Sequence, residues 1–311
     1  MRRATFSATT AAAGVAGSDL PTAGSGDEDV VMRGTNDEGG TRPFRGALRG
    51  VTWNAQALFS TDPDRFEAKQ RVMEELAKDH DFVMVQETHS TMGALAAWRQ
   101  LTGYEYFHSH GSSTIGGVGI LMDRDFLKQF DPPQSNTLEE VVPGRVGALR
   151  LSGKAGLLDI VVVYAETGDA QDERNDMGIK LSKALVPAYK ALTVLAGDWN
   201  HTALAEDRFT ADPLAWTVAR QTAEEDHFQQ HLGRPYELIE FEQHELSNHS
   251  GTGKVKLHRV YANFGIYPQL DHLITCLAVP RAGQIPSHPP ANTRFRPPPR
   301  AGWKSPALAA I

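Results

Sequence analysis

Apolar and polar positions along this 311-residue chain alternate between two rhythms. One is short and β-branched. The segments GVTWNAQALF (50–59), DFVMVQE (81–87), GGVGILM (116–122), VGALRL (146–151), LLDIVVVYA (157–165) and LTVLAGD (192–198) are apolar runs with polar ends, and they predict strands. The other rhythm has helical spacing. In DRFEAKQRVMEELAKDH, Phe66, Val72, Met73 and Leu76 share one face with charge opposite. Leu181, Leu185, Tyr189 and Leu192 repeat the pattern in a helix that Pro187 is expected to kink. Strands interleaved with helices over roughly 250 residues predict sheets covered by helices, a layered sandwich in one α/β or α+β domain.

Both rhythms fade toward the ends. Residues 1–46 hold few bulky apolar groups and many Gly, Ser, Thr and Asp, too little to offset ordering entropy, so they are expected to be disordered. The opening MRRATFSATTAAAGVAG has two arginines and no acid before Asp19, a composition shared by organelle transit peptides and by flexible Ala/Gly/Ser tails. Beyond His288 the chain is proline-rich, which removes backbone donors from any sheet or helix interior. The folded unit is therefore expected over residues 47–296, followed by a tail over 297–311. No run approaches the roughly 20 apolar residues of a membrane span, so a soluble, intracellular protein with no membrane partner is expected.

Composition adds limits rather than direction. With 41% hydrophobic and 22% charged residues, the chain is ordinary for a globular protein with a sizeable core. Its net charge of -7 argues against coating nucleic acid by bulk electrostatics, while leaving room for a local basic patch. The single cysteine, Cys276 in LITCLAV, rules out a disulfide framework or a multi-cysteine zinc site and reads as a buried structural thiol.

Chemistry enters where the apolar strands stop. Asn54 ends VTWN, Gln86-Glu87-Thr88 follow VMV, Tyr164 closes VVVY, and Asp198 and Asn200 stand in AGDWN. Polar side chains at the ends of packed strands can converge on one rim of a sheet and be held there rigidly. Singly, each has a plainer account, since an Asp or Asn just past a strand is usually a turn former.

Together and in this order, TWNAQ, VQETH, VVVYAE, AGDWN and PSHPP resemble the marks of the endonuclease/exonuclease/phosphatase superfamily. That group includes apurinic/apyrimidinic endonucleases, DNase I-like enzymes, inositol-polyphosphate phosphatases, sphingomyelinases and retrotransposon endonucleases. The resemblance covers residues 48–296, and KLHRVYANFGIYPQ is similar to the RLDRVYSN run of retroelement-like members. It implies a DNase I-like fold, a four-layer α/β/β/α sandwich of two packed mixed sheets. It also implies cleavage of a phosphate ester, which needs a positioned water and neutralised phosphoryl oxygens. A hard divalent ion, Mg2+ with Mn2+ as the alternative, supplies the second, held through one or two carboxylates.

By the resemblance, Glu87 is the principal metal ligand and Gln56 a neutral one. Asp198 orients and deprotonates the attacking water, and Asn200, two residues on along an extended segment and so on the same side, holds the phosphate. Asn54 hydrogen-bonds at the metal edge, Tyr164 contacts the phosphate or the developing alkoxide, and His288 donates to a phosphoryl oxygen. The implied substrate is nucleic acid.

Three positions lack an acid that the pattern carries or admits. Gln56 stands where an acid or amide is common, His258 where RLDRVY carries an Asp that orients the catalytic histidine, and Ser287 where an Asp precedes it. An imidazole at 258 cannot stabilise a protonated His288 as a carboxylate does. Asp271, in QLDHLIT, is an alternative partner for His288. His108 and His110 have metal-like spacing, but with no third ligand nearby they read as a solvated loop. Lys254, Lys256, Arg259, Arg294, Arg296 and Arg300 form either a phosphate-attracting rim or a solvated edge. Three readings of function follow: a magnesium-dependent nuclease with activity reduced by these departures, a degenerate relative that binds nucleic acid or protein, and a phosphatase of phosphoinositides or small phosphoesters.

Overall fold

The computed structural model describes residues 42–96, 101–201, 207–210, 222–241, 248–250, 253–255, 257–263 and 274–279. The expected terminal segments fall almost entirely outside the described residues. The first half of the described chain runs β1 (Leu48–Asn54), α1 (Pro63–Lys78), β2 (Phe82–Gln86), α2 (Met92–Ala96), β3 (Tyr104–Ser109), β4 (Val118–Asp123), α3 (Arg124–Leu127), β5 (Glu139–Val142), β6 (Val146–Gly153) and β7 (Gly156–Tyr164). It continues through α4 (Gln171–Ala184), β8 (Leu192–Asp198), β9 (Arg208–Thr210), α5 (Thr222–Phe228), a π-helical turn (Gln229–Gly233), β10 (Ile239–Glu240), β11 (Asn248–Ser250), β12 (Gly253–Val255), β13 (His258–Ala262) and β14 (Ile274–Val279).

Two large mixed sheets result, in the orders β14-β1-β2-β4-β3 and β10-β13-β8-β7-β6-β5, with β11-β12-β9 a small third one. Alternation along the strands sorts the apolar residues into three clusters. Phe82, Met84, Leu158, Ile160, Val162, Val194 and Val260 meet between the large sheets. Val51, Trp53, Val83 and Val85 turn the other way, onto Met73 and Ala77 of α1. Val161, Val163 and Leu195 do the same against Met177 and Leu181 of α4 and Phe228 of α5. Helix, sheet, sheet and helix thus stack as four layers, the architecture expected. All nine residues of β7 are buried, because that strand is covered on both faces, which explains why its sequence is apolar but for Asp159, whose carboxylate accepts from Arg150 Nε at 3.2 Å.

Local chemistry sets the element ends. Asp62 caps α1 by accepting from the N–H groups of Asp64 (3.0 Å) and Arg65 (3.3 Å), with Pro63 at the first helical position where no N–H is needed. The helix before β8 is not kinked at Pro187 but finished ahead of it. α4 ends at Ala184 and Leu185 is already extended, at ψ 146°, consistent with the bias against helix before proline. Tyr189 is accordingly exposed, and Leu192 belongs to β8. The first strand is shorter than its apolar run because Gln56 and Ala57 take left-handed φ values of 48° and 70°.

Order also starts earlier than the sequence suggests. Phe44 is fully buried, and its N–H reaches the Leu157 carbonyl at 3.0 Å. Among the described residues, no helix is long and apolar enough to cross a membrane.

Removing side-chain volume from the inter-sheet layer should cost far more than doing so at the surface. Ile160→Ala is expected to lower unfolding free energy by about 3 kcal/mol, whereas Tyr189→Ala should change it by under about 0.5 kcal/mol. Chemical denaturation of both variants measures the difference.

Candidate active site

The inward-facing positions of β7, β8 and β13 are even-numbered, as Ile160, Val194 and Val260 show. Carrying that alternation to the strand ends places Tyr164, Asp198 and His258 on the same side, and the ladders align them: Tyr164 is opposite Asp198, and Asp198 opposite His258. In the facing sheet, Asn54 of β1 pairs in register with Gln86 of β2. The polar cluster is therefore the continuation of the core at its open end. Asn54, Gln86, Asp198 and His258 are all fully buried.

Glu87 breaks the alternation. Directly after β2 it should face outward, but it adopts φ 51°, and its Oε1 lies 2.8 Å from Asn54 Nδ2. The turn is held from both sides, by Ala57 N–H to the Glu87 carbonyl (2.7 Å) and by Thr88 N–H to the Gly117 carbonyl (3.0 Å). The same Asn54 nitrogen donates to Asp198 Oδ2 at 2.9 Å, across the gap between the sheets. Asn54 Oδ1 accepts the Gln56 N–H at 3.0 Å, which fixes which end of the amide faces the carboxylates.

Two oxygens this close to one nitrogen are at most about 6 Å apart, where two negative charges repel by about 3 kcal/mol at an effective dielectric of about 20. Donors and cations gather around them accordingly. The Tyr164 hydroxyl donates to Glu87. Burial above all, then the Glu87 charge and this hydrogen bond, push the phenol well above its ordinary value, while Arg145, 4.6 Å over the ring, opposes the shift. Lys69 of α1 donates to the carbonyls of Gln56 and Ala57 (2.8 Å to the latter), bringing its charge near Glu87.

The segment after β8 is not extended. Asn200 takes φ 50°, so its N–H turns back to Asp198 Oδ1 at 3.1 Å, and its Nδ2 donates to the Ala165 carbonyl at 2.7 Å. The turn-former account of Asp198 and Asn200 therefore holds, and the turn also keeps both residues at the polar cluster. Asp198 reaches the cluster by strand alternation, and Asn200 is folded against it by the turn. Trp199 points to the opposite face, edge-on to Phe228 at 5.3 Å and Tyr261 at 5.6 Å. At Gly197 an added Cβ would lie 1.8 Å from the Val163 carbonyl oxygen, so the approach of β7 to β8 admits glycine alone.

His258 Nε2 stands 3.5 Å from Asp198 Oδ2. His288, Ser287 and Asp271 lie outside the described residues, as do Lys256, Arg294, Arg296 and Arg300. Gln56 contributes its backbone to the cluster: its N–H to Asn54 and its carbonyl to Lys69.

Two expectations are corrected. Arg259 is not part of a basic rim: it is fully buried on the outer face of β13, with Nη1 2.9 Å from both Glu240 oxygens and Nη2 on Asp207. His108 is not in a solvated loop: it is a buried residue of β3, its ring 4.4 Å from that of His110, and burial lowers its pKa. Lys69 and Arg145 escaped the sequence reading, because one sits on the charged face of α1 and the other follows an ordinary Pro-Gly turn.

Among the described residues there is no group of three or more His, Cys, Asp or Glu suited to a metal ion. A magnesium ion does not require one, since it binds through one or two carboxylates and keeps several waters. Two carboxylates drawn to one amide fit that demand.

The profile of the Endonuclease/Exonuclease/phosphatase family matches residues 51–301. Comparison with curated proteins gives no match. Among solved structures, the chain is similar to the 3'-5' exonuclease NExo from Neisseria meningitidis, at 16% identity over 68% of this chain and 86% of that one, TM-score 0.48. It is also similar to an AP endonuclease from Archaeoglobus fulgidus, at 16% identity, with the same coverage and TM-score 0.45. A third is the endonuclease domain of TRAS1, a telomere-specific non-LTR retrotransposon, at 13% identity over 71% of this chain and 86% of that one, TM-score 0.47.

One group behind the site titrates in a testable range. His201 is buried, and that burial, helped by Arg259 and Arg174, pushes its pKa down from 6.5 to about 4. The folded chain thus keeps the ring neutral at pH values where the unfolded chain protonates it. Stability from this source is fully present above about pH 6.5 and is lost as pH falls through about 4, on the order of 3 kcal/mol in all. In His201→Gln the fall in Tm between pH 7 and pH 4 should be smaller than in wild type by the equivalent amount, as read by differential scanning calorimetry.

Proposed function

Because the chain belongs to the Endonuclease/Exonuclease/phosphatase family, we propose that it is a magnesium-dependent phosphodiesterase of the endonuclease type acting on nucleic acid, with manganese as the alternative ion. The observation that carries the reading is the Asn54 amide, which holds Glu87 and Asp198 from opposite sheets around one point. A family profile identifies a scaffold; paired carboxylates at the mouth of its core supply the chemistry. The nucleic-acid substrate is drawn from the likeness of KLHRVYAN to retroelement-type runs.

In this proposal Glu87, with Gln56, holds the ion, which when bound neutralises charge on the phosphoryl oxygens. Asp198 accepts a hydrogen bond from the attacking water and orients it. The Tyr164 hydroxyl, whose pKa burial and the neighbouring Glu87 raise, would contact the phosphate or the departing oxygen. Asn54 keeps the two carboxylates at a set separation. Asn200 and His288 contact the phosphate, and Arg145 over the Tyr164 ring adds positive charge on the same side.

Cleavage of plasmid and abasic DNA and of single-stranded RNA should require added Mg2+ or Mn2+ and stop with chelator. Glu87→Gln and Asp198→Ala should each lower kcat by about 100-fold or more while the protein stays folded by circular dichroism. Equal background from wild type and Asp198→Ala defeats the nuclease reading. Turnover of inositol polyphosphates with no nucleic-acid cleavage would move the substrate class to small phosphoesters.

A further inference from the structure

The strand beside Asp198 carries a second polar group at the same depth. β13 runs antiparallel to β8 with Val260 opposite Ala196 and His258 opposite Asp198, so the imidazole is placed by a strand ladder rather than by a loop. Both side chains are fully buried, and His258 Nε2 is 3.5 Å from Asp198 Oδ2. A bare ring nitrogen facing a carboxylate oxygen away from water would be repulsive; with the proton on Nε2 the same contact is favourable. The Asn54 amide approaches that same oxygen at 2.9 Å, while the Asn200 N–H approaches Oδ1 at 3.1 Å.

We propose that His258 is a positioning residue for Asp198, its Nε2–H acting with Asn54 to pin the Oδ2 edge so that the Oδ1 edge meets the attacking water. The inference rests on the role assigned to Asp198 above. It also recasts the departure at this position. In the retroelement-like run an acid on this strand serves a histidine from elsewhere, whereas here a histidine on this strand serves the acid of the next one. The loss of a carboxylate at 258 is then an exchange of partners within the sheet.

The test uses the full chain with three substitutions. His258→Gln places an amide donor close to where Nε2 lies, His258→Asn places it nearer Nδ1, and His258→Leu removes it. His258→Gln should keep kcat within about threefold, while His258→Asn and His258→Leu should lose about 10- to 100-fold in kcat with KM unchanged, as expected when a donor facing a charged group is removed. A folded His258→Asn with wild-type kcat, or a His258→Gln no better than His258→Leu, overturns the inference.

Nitrogen-15 NMR of the imidazole gives a readout independent of turnover and of whether His258→Leu folds. The wild-type ring should be protonated at Nε2, and its shift should move in Asp198→Asn; a ring protonated at Nδ1 alone overturns the inference. If Asp198→Asn cleaves as wild type does, the proposed function falls and takes this one with it. If Asp198→Asn is inactive and His258→Asn is not, only this one falls.

Discussion

The site depends on one carboxamide shared by two like charges. Asn54 Nδ2 has two hydrogens and gives one to Glu87 and the other to Asp198, so the end of one sheet is tied to the end of the other at the point where their common core opens. Neither carboxylate could be brought there cheaply on its own. An acid at position 54 would add a third negative charge, and an apolar residue would leave two facing each other with nothing between. The Gln56 N–H that orients the amide, and the Lys69 ammonium on the next two carbonyls, are best understood as support for that single group.

Such a junction runs against backbone preference. Gln56, Glu87 and Asn200 all hold positive φ without being glycine, at roughly 1–2 kcal/mol each. The cost is tolerable because each strained residue lies within two residues of the end of a strand buried along nearly all its length. The strain is concentrated at the polar cluster, the kind of placement that backbone outliers have at functional sites.

Much of the architecture was legible from the chain alone, for a physical reason. β2, β7 and β8 lie within sheets covered on both sides, so their sequences are predominantly apolar runs with sharp polar ends, and those ends form the polar cluster. The edge strands β5 and β10 and the short third sheet carry no such signature and went unread, as did β3, whose aromatic and histidine residues looked like a loop, and β14, whose apolar run ITCLAV suggested only a buried cysteine. Asn54, Tyr164 and Asp198 could be anticipated by alternation. Glu87 and Asn200 could not be placed that way, because a reversal of φ decides where their side chains and amides point. Lys69 was invisible for a different reason: a lysine that leans back onto carbonyls looks, in sequence, like any lysine on a charged helix face.

Gly197 has a meaning for relatives of this chain that its neighbours do not. The carbonyl of Val163 fills the space where its side chain would stand, so the residue is required for β7 and β8 to close up, whatever happens beyond them. A diverged descendant that lost the polar cluster would still have to keep that glycine, whatever became of the amide and the acids. Retention of glycine there thus reports inheritance of the scaffold, and retention of Asn54 with Asp198 reports inheritance of the shared amide.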